Sequence, residues 1–170
     1  MGGDQDNAIV IGDHSLADEL RSHALQSASE STLFLQLIAH ELRETAIPLG
    51  VLGGFVMVDD RLNVKMFGLM PIVGMARTLA IKHRITATST AERLQQLISI
   101  KAINESDALD FHEHHQLLLT LLLEQQLADI ADGLKPSARI LPERLKKSMA
   151  KRLKAALKSI EVAKLMVSRV

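Results

Sequence analysis

The 170-residue chain contains no cysteine, no tryptophan and no tyrosine, and it has only four phenylalanines. Without cysteine the protein forms no disulfide and uses no thiolate, which fits a reducing compartment and a cytoplasmic location. The scarcity of aromatic rings argues against a surface that stacks single-stranded bases, so we expect no nucleic-acid partner. Leu, Ile, Ala and Met must fill the core, and these residues favour helices over strands.

Long apolar runs and familiar nucleotide motifs are also missing. No run of about 18 uncharged apolar residues occurs, so we expect no membrane contact through a spanning helix. The N-terminus has no basic region followed by an apolar one, which argues against a signal peptide. The sequence has neither a Gly-x-x-x-x-Gly-Lys phosphate loop nor a Gly-rich dinucleotide fingerprint. No complete catalytic constellation is visible, and we predict no catalytic residue in this chain.

The formal net charge is zero, but the charges are unevenly distributed. Residues 141–170 hold nine Lys or Arg against two Glu. Such a segment is either the solvated outer face of a last helix or a docking face for an acidic partner or for nucleic acid.

The spacing of apolar residues predicts six helices and short connections. Three pairs have the spacing of a helix N-cap and its partner: Ser15 with Asp18, Ser89 with Glu92, and Asn104 with Asp107. Pro142 is expected to begin the last helix. The leucine-rich stretch of the fifth helix is apolar nearly all round, which predicts a central position. The helices are expected at 15–28, 32–45, 68–83, 90–100, 105–131 and from 142 onward.

Residues 55–65 alternate between apolar and polar types around Asp59-Asp60, which predicts a short hairpin. Short connections between helices favour antiparallel neighbours. The predicted fold class is therefore all-α, an antiparallel bundle of about six helices with a small β-hairpin. The predicted organisation is an N-terminal remnant or expression-vector segment at 1–13, followed by one helical domain at 14–170.

Four polar residues stand in or next to apolar helical segments: Lys65, Arg77, Thr90 and Arg93. Arg77 has apolar neighbours, and its planar fork suits a phosphate or a carboxylate. Thr90 and Arg93 begin the next helix, where free N–H groups and the helix dipole attract anions. Lys65 ends the predicted hairpin, which could close over a ligand. We predict that the four converge on an anionic substrate. The alternatives are a structural ion pair for Arg77, simple capping by Thr90, and solvated positions for Arg93 and Lys65.

Two further groups invite a catalytic or metal interpretation. His112 and His115 share a helix face, but a metal site needs three or four ligands, and we expect a solvated helix turn instead. Asp59-Asp60 could act as paired carboxylates, although a hairpin turn explains them better. We therefore predict no metal site in this chain.

The order of Lys65, Gly68, Pro71, Arg77, Leu79-Ala80, Thr90 and Arg93-Leu94 resembles a known family, the nucleotidyltransferase substrate-binding domain. This is the C-terminal helical domain of bacterial signalling proteins related to protein-P-II uridylyltransferases and glutamine synthetase adenylyltransferases. The similarity extends from Gly12 to the end of the chain. At two places where the family often has His and Asn, this chain has Gln125 and Ala138.

The resemblance implies a helical accessory domain that packs beside a nucleotidyltransferase catalytic domain and helps to hold its substrate. In such proteins CBS and cyclic-nucleotide-binding modules often precede the catalytic palm. The implied cofactors, magnesium and a nucleotide, belong to that palm, which we expect this chain to lack. Residues 4–8 look like a fragment of its Asp-x-Asp strand. The alternative is a non-enzymatic interaction or dimerisation module in signal transduction, which would form a homo-oligomer.

Overall fold

The computed structural model describes residues 14–168 and residue 170, and the segment 1–13, with its Asp4–Asp6 motif, lies outside this part of the chain. Six α-helices form the body, as the sequence predicts. They are α1 (His14–Glu30), α2 (Thr32–Arg43), α3 (Met70–Lys82), α4 (Thr90–Ser99), α5 (Glu105–Ala131) and α6 (Lys147–Val167). Two short strands, β1 (Leu62–Asn63) and β2 (Arg139–Ile140), form one antiparallel sheet.

Side-chain caps fix the starts of three helices. Ser31 separates α1 from α2, and its hydroxyl accepts the Phe34 N–H at 3.2 Å. Ser89 accepts the Glu92 N–H at 3.2 Å, and Asn104 accepts the Asp107 N–H at 2.7 Å. These two caps confirm the prediction, because each depends only on local spacing. The prediction for Ser15 is wrong, since α1 already begins at His14 and includes Ser15.

Three helices end in a left-handed residue that turns the chain back on the last helical turn. Gly133 follows α5 with a φ of 70°, whereas Arg84 after α3 and Lys101 after α4 adopt φ values of 55° and 58°. In each turn the next residue donates its N–H five residues back, as in Ile85 to the Ala80 carbonyl at 2.8 Å. Glycine adopts this conformation without strain, so Arg84 and Lys101 hold it at some cost in free energy.

The predicted hairpin is only partly correct. Asp59 and Asp60 both have positive φ, and Val58 and Arg61 exchange two hydrogen bonds of 3.0 and 3.1 Å, which is a tight two-residue hairpin turn. The ladder does not continue between the two arms, however. Leu62 pairs instead with Ile140, and burial of both apolar side chains favours this distant partner over the hairpin.

Two helix starts also differ from the prediction. A single π-helical turn at Lys65–Leu69 precedes α3, and the Met70 N–H reaches back to the Lys65 carbonyl. Pro142 begins a short 3-10 turn rather than α6, which starts five residues later. A proline tolerates the first turn of either helix type, so its presence alone does not fix where the α-helix begins.

Helix α3, and not α5, holds the centre of the bundle. It contacts α1, α2, α4 and α6, and Ile72, Met75 and Ala76 on it are fully buried. The prediction of a central α5 is wrong, because that helix buries only one face, at Leu117, Leu118 and Leu121. None of the helices in the described part of the chain has the length and apolar character that crossing a membrane requires.

Candidate functional site

A cavity of about 210 Å³ lies where α1, α3 and α4 meet, and an arginine from each of these helices lines it. The three residues are Arg21, Arg77 and Arg93. Most of the remaining wall is apolar, and it includes the ring of Phe34 from α2. The cavity therefore combines positive charge with an apolar surface.

Helix α3 presents Arg77 together with Ala80 and Ile81, which follow it by one turn and lie on the same face. Arg77 is half-buried, and an arginine in such a position can keep its long apolar stem against neighbouring side chains.

Helix α4 contributes Arg93 from its first turn, and this residue is only 4% exposed. The Arg93 Nε donates a 3.0 Å hydrogen bond to the Ala87 carbonyl, which holds the side chain against the loop before the helix. Thr88 of that loop also lines the cavity. The positive end of the α4 dipole therefore lies at the same place as Arg93 and favours an anion there.

Helix α1 forms the outer wall of the cavity. Its half-buried residues recur at helical spacing and form one stripe: Ala17, Arg21, Leu25 and Ala28. No described side chain of α1 is fully buried. Sequence reasoning did not select Arg21, although a cation within an otherwise apolar stripe was a visible signal.

The structure brings together two of the four residues that the sequence singled out. Arg77 and Arg93 share the cavity, but Thr90 and Lys65 do not contribute to its wall. Thr90 is the buried first residue of α4. Lys65 is exposed and begins the π-helical turn, twelve residues before Arg77. Two of the four residues therefore lie outside the wall of this cavity, and ligand binding by any of the four stays a prediction.

A second polar cluster, which the sequence analysis missed, joins the hairpin turn to α5. Arg61 donates two hydrogen bonds to the Asp129 carboxylate, at 2.8 and 3.0 Å, and Asp129 is only 2% exposed. The hydrogen bonds from Arg61 lower the pKa of Asp129, and a further bond from Gln125 acts in the same direction against the effect of burial. The cluster is structural, because it fastens β1 to the long helix.

Gln125, which the sequence analysis noted, has a structural role. Its amide donates to Asp129 at 2.9 Å, and its carbonyl oxygen accepts the Leu141 N–H at 3.0 Å. The neighbouring Gln126 donates to the Ser137 carbonyl at 3.2 Å. Both glutamines hold the segment around β2 against α5.

The histidines of α5 are half-buried, which corrects the expected solvated turn. His114 Nδ1 lies 3.0 Å from the Ser159 hydroxyl on α6, and His115 lies beside it on the helix. Burial lowers the pKa of both histidines below its ordinary value. Among residues 14–168 and 170, no group of three or more His, Cys, Asp or Glu could hold a metal ion.

The arginine cavity can bind and orient a negatively charged group. Guanidinium groups form paired hydrogen bonds with phosphate or carboxylate oxygens, and these bonds are stronger away from bulk water. The described residues that line the cavity include no carboxylate, histidine or serine.

Comparison with known proteins gives one match. The family model described as Putative nucleotidyltransferase substrate binding domain matches residues 32–170. The match begins at the first residue of α2 and leaves α1 outside it. Comparisons with curated proteins and with solved structures returned no match. Because this model covers residues 32–170, most of the length of the chain, the chain belongs to the family of nucleotidyltransferase substrate-binding domains.

Proposed function

We propose that this chain is the substrate-binding accessory domain of a bacterial signalling nucleotidyltransferase, and that the arginine cavity binds the anionic part of the substrate. One observation carries the proposal. Arg77 and Arg93, on successive helices, line the same cavity in a chain whose family is described by substrate binding.

The character of the cavity favours a phosphate-bearing organic molecule. Two or three guanidinium groups can bind several phosphate oxygens at once, which gives both affinity and orientation. Phe34, Leu25 and Ile85 offer an apolar surface for the rest of such a molecule. A nucleotide has this combination of charge at one end and an aromatic ring at the other.

The chemical step belongs to a partner in this proposal. A nucleotidyltransferase catalytic domain, with its magnesium and its nucleotide, would work beside this domain, and CBS or cyclic-nucleotide-binding modules would regulate the assembly. The parent protein would act in the cytoplasm. The helical domain contributes the position of the substrate, and precise positioning is itself a large part of the catalysis of phosphoryl and nucleotidyl transfer.

Titration calorimetry with ATP at millimolar concentration tests the binding role. We expect binding by the native chain and at least about tenfold weaker binding by Arg77→Ala, because a charge-assisted hydrogen bond contributes about 1.5–3 kcal/mol. Arg152→Ala removes an exposed arginine of α6 and serves as the control for general surface charge. Absence of heat with the native chain, or equal losses in the two variants, would contradict the proposal.

A second candidate function is an interaction or dimerisation module, and an exposed apolar surface on α5 favours it. The leucine stripe consists of five large apolar residues at helical spacing: Leu119, Leu123, Leu127, Ile130 and Leu134, the last lying just beyond α5. All five are at least 41% exposed. Apolar stripes of this length commonly mark a contact with another protein surface.

Light scattering tests the second candidate. If the leucine stripe joins two copies, the native chain will have a concentration-dependent mass, and the double variant Leu123→Glu, Leu127→Glu will be monomeric. Ala131→Glu adds a charge at an exposed position of the same helix beside the stripe and should leave the mass unchanged. A native chain that stays monomeric at high concentration would count against self-association.

A further inference from the structure

Helix α1 lies outside the family match, yet it forms one wall of the arginine cavity. The match starts at residue 32, whereas Arg21, Leu25 and Ala28 of α1 all line the cavity. The site on the family domain itself, with Arg77 and Arg93, is therefore incomplete without a helix that the family model does not include.

The attachment of α1 to the bundle is limited. Its described side chains are at most half-buried, so little apolar surface holds it in place. Segments with few buried contacts are the ones that open at the lowest free energy. The position of α1 should therefore respond to whatever binds beneath it.

A polar clasp aligns the end of α1 with the loop between α3 and α4. Arg84 Nε donates to the Ser29 hydroxyl at 2.9 Å, and Arg84 also pairs with the Glu30 carboxylate at 2.9 Å. Both charged side chains are more than half exposed, and exposed ion pairs contribute little to stability. The clasp orients α1 without locking it.

We propose that α1 is a ligand-dependent wall of the site: Arg21 binds the same anion as Arg77 and Arg93, and the bound anion holds α1 on the bundle. The inference rests on the proposed function, that is, on anion binding in this cavity. A ligand with several phosphate groups can contact arginines from all three helices at once, whereas a single phosphate has fewer oxygens to share. The structure therefore assigns the site to an organic di- or triphosphate.

Affinity measurements separate this inference from the proposed function. With ATP and with inorganic tripolyphosphate as probes, Arg21→Ala should bind about tenfold more weakly than the native chain, as expected for one lost charge-assisted bond. Arg21→Lys should recover part of the loss, since it keeps the charge but not the fork. Arg152→Ala is again the control, and thermal unfolding of each variant reports whether the fold is kept.

Hydrogen exchange of the α1 amides then tests the movement. Addition of ATP should slow exchange across 14–30 in the native chain and leave it unchanged in Arg21→Ala at saturating ligand. Glu30→Gln, which weakens the clasp, should speed exchange of α1 in the absence of ligand.

The possible outcomes are distinct. Loss of binding in Arg77→Ala with no change in Arg21→Ala, or an unchanged α1 exchange rate with ligand bound, overturns the inference and leaves the proposed function standing. Binding of inorganic phosphate as tight as that of tripolyphosphate overturns the ligand class. If neither probe binds the native chain, both the inference and the proposed function fail.

Discussion

Gly68 and Gly74 lie six residues apart on the helical run that ends in α3, and their surroundings differ sharply. A Cβ atom at Gly68 would lie 2.9 Å from a methyl group of Leu118, a fully buried residue of α5, whereas one at Gly74 would meet nothing within 4 Å. Gly68→Ala should therefore lower the free energy of unfolding by about 1–3 kcal/mol through overpacking. Gly74→Ala should raise it by about 0.5–1 kcal/mol, because alanine loses less backbone entropy in a helix.

Urea unfolding monitored by far-ultraviolet circular dichroism measures both changes. A chain without tryptophan and tyrosine gives little intrinsic fluorescence, so the helical signal is the better probe. The double variant Gly68→Ala, Leu118→Val should be less destabilised than the sum of its single variants, because the smaller side chain makes room for the new methyl group. Equal effects of alanine at the two glycines would refute the packing argument.

The buried carboxylate of Asp129 makes stability depend on pH in acid. Hydrogen bonds from Arg61 lower the pKa of Asp129, so the unfolded chain takes up this proton first as the pH falls below about 4. The contribution of Asp129 to the free energy of unfolding is therefore complete above that pH. It is lost as the pH falls through the lower pKa that Asp129 has in the folded state. Asp129→Asn should lower the melting temperature at pH 7 and flatten its decline below pH 4.

Thermal unfolding from pH 2 to pH 7 checks this expectation. Asp132→Asn, an exposed carboxylate three residues along the chain, should retain the native decline in acid. An Asp129→Asn melting curve that falls in acid as steeply as the native one would show that Arg61 does not act through this carboxylate.

The sequence predicted correctly those interactions whose partners lie close together along the chain. The caps at Ser89 and Asn104 depend on a partner three residues away, and both were predicted correctly. The pairing of Arg61 with Asp129 joins residues 68 positions apart, and nothing in the neighbourhood of either residue signals the other. Arg77 and Arg93 were found because they interrupt apolar helical patterns.

At the scale of whole elements, two helix ends allow a matched pair of substitutions to and from glycine. Lys101 and Gly133 occupy the same left-handed position after α4 and α5. Lys101→Gly should stabilise the fold by about 1 kcal/mol and Gly133→Ala should destabilise it by a similar amount, since only glycine adopts this conformation without steric cost. Chemical unfolding of the two variants measures the difference, and a destabilised Lys101→Gly would contradict the expectation.

The sequence identified the helices well but misjudged which of them is central. Caps and apolar periodicity are local, so the bounds of α5 were predicted as the structure has them. Whether a helix is central depends on how many other elements pack against it. The apolar pattern of a single segment does not report this number. The leucine stripe of α5 reads as core in the sequence and lies at the surface of this chain.

At the scale of the whole molecule, the half-buried histidines make the fold sensitive to mild acid. Burial lowers the pKa of His114 and His115, so the unfolded chain binds these protons first as the pH falls through about 6.5. Their contribution to stability is therefore present above that pH and declines below it, until the folded chain is protonated too.

Urea unfolding at pH 7.5 and pH 5.5 measures the decline in the free energy of unfolding. His114→Gln, which can keep a hydrogen bond to Ser159 without titrating, should reduce the difference between the two conditions. His40 is exposed on α2, and His40→Gln should leave that difference as in the native chain. Identical pH dependence in all three proteins would refute the role of burial at His114.

The overall architecture was predictable, whereas the assembly of the site was not. Six helices follow from apolar periodicity and the near absence of aromatics, whereas the sheet pairs Leu62 with the distant Ile140 and not within the predicted hairpin. The meeting of α1, α3 and α4 around one cavity depends on the packing angles of three helices. The sequence analysis therefore named two of the arginines that line the cavity and missed the one that α1 supplies.

The pairing of β1 with β2 has a consequence for the order of events during synthesis. Leu62 leaves the ribosome long before Ile140, its partner in the sheet, and Arg61 must likewise wait for Asp129. The first half of the nascent chain thus contains β1 without its partner strand and Arg61 without Asp129 until nearly all the later helices have emerged. Helices can form early from local contacts. The β1–β2 sheet and the Arg61–Asp129 ion pair, which join the two halves of the chain, form only at the end, and any product that stops before residue 139 lacks the sheet.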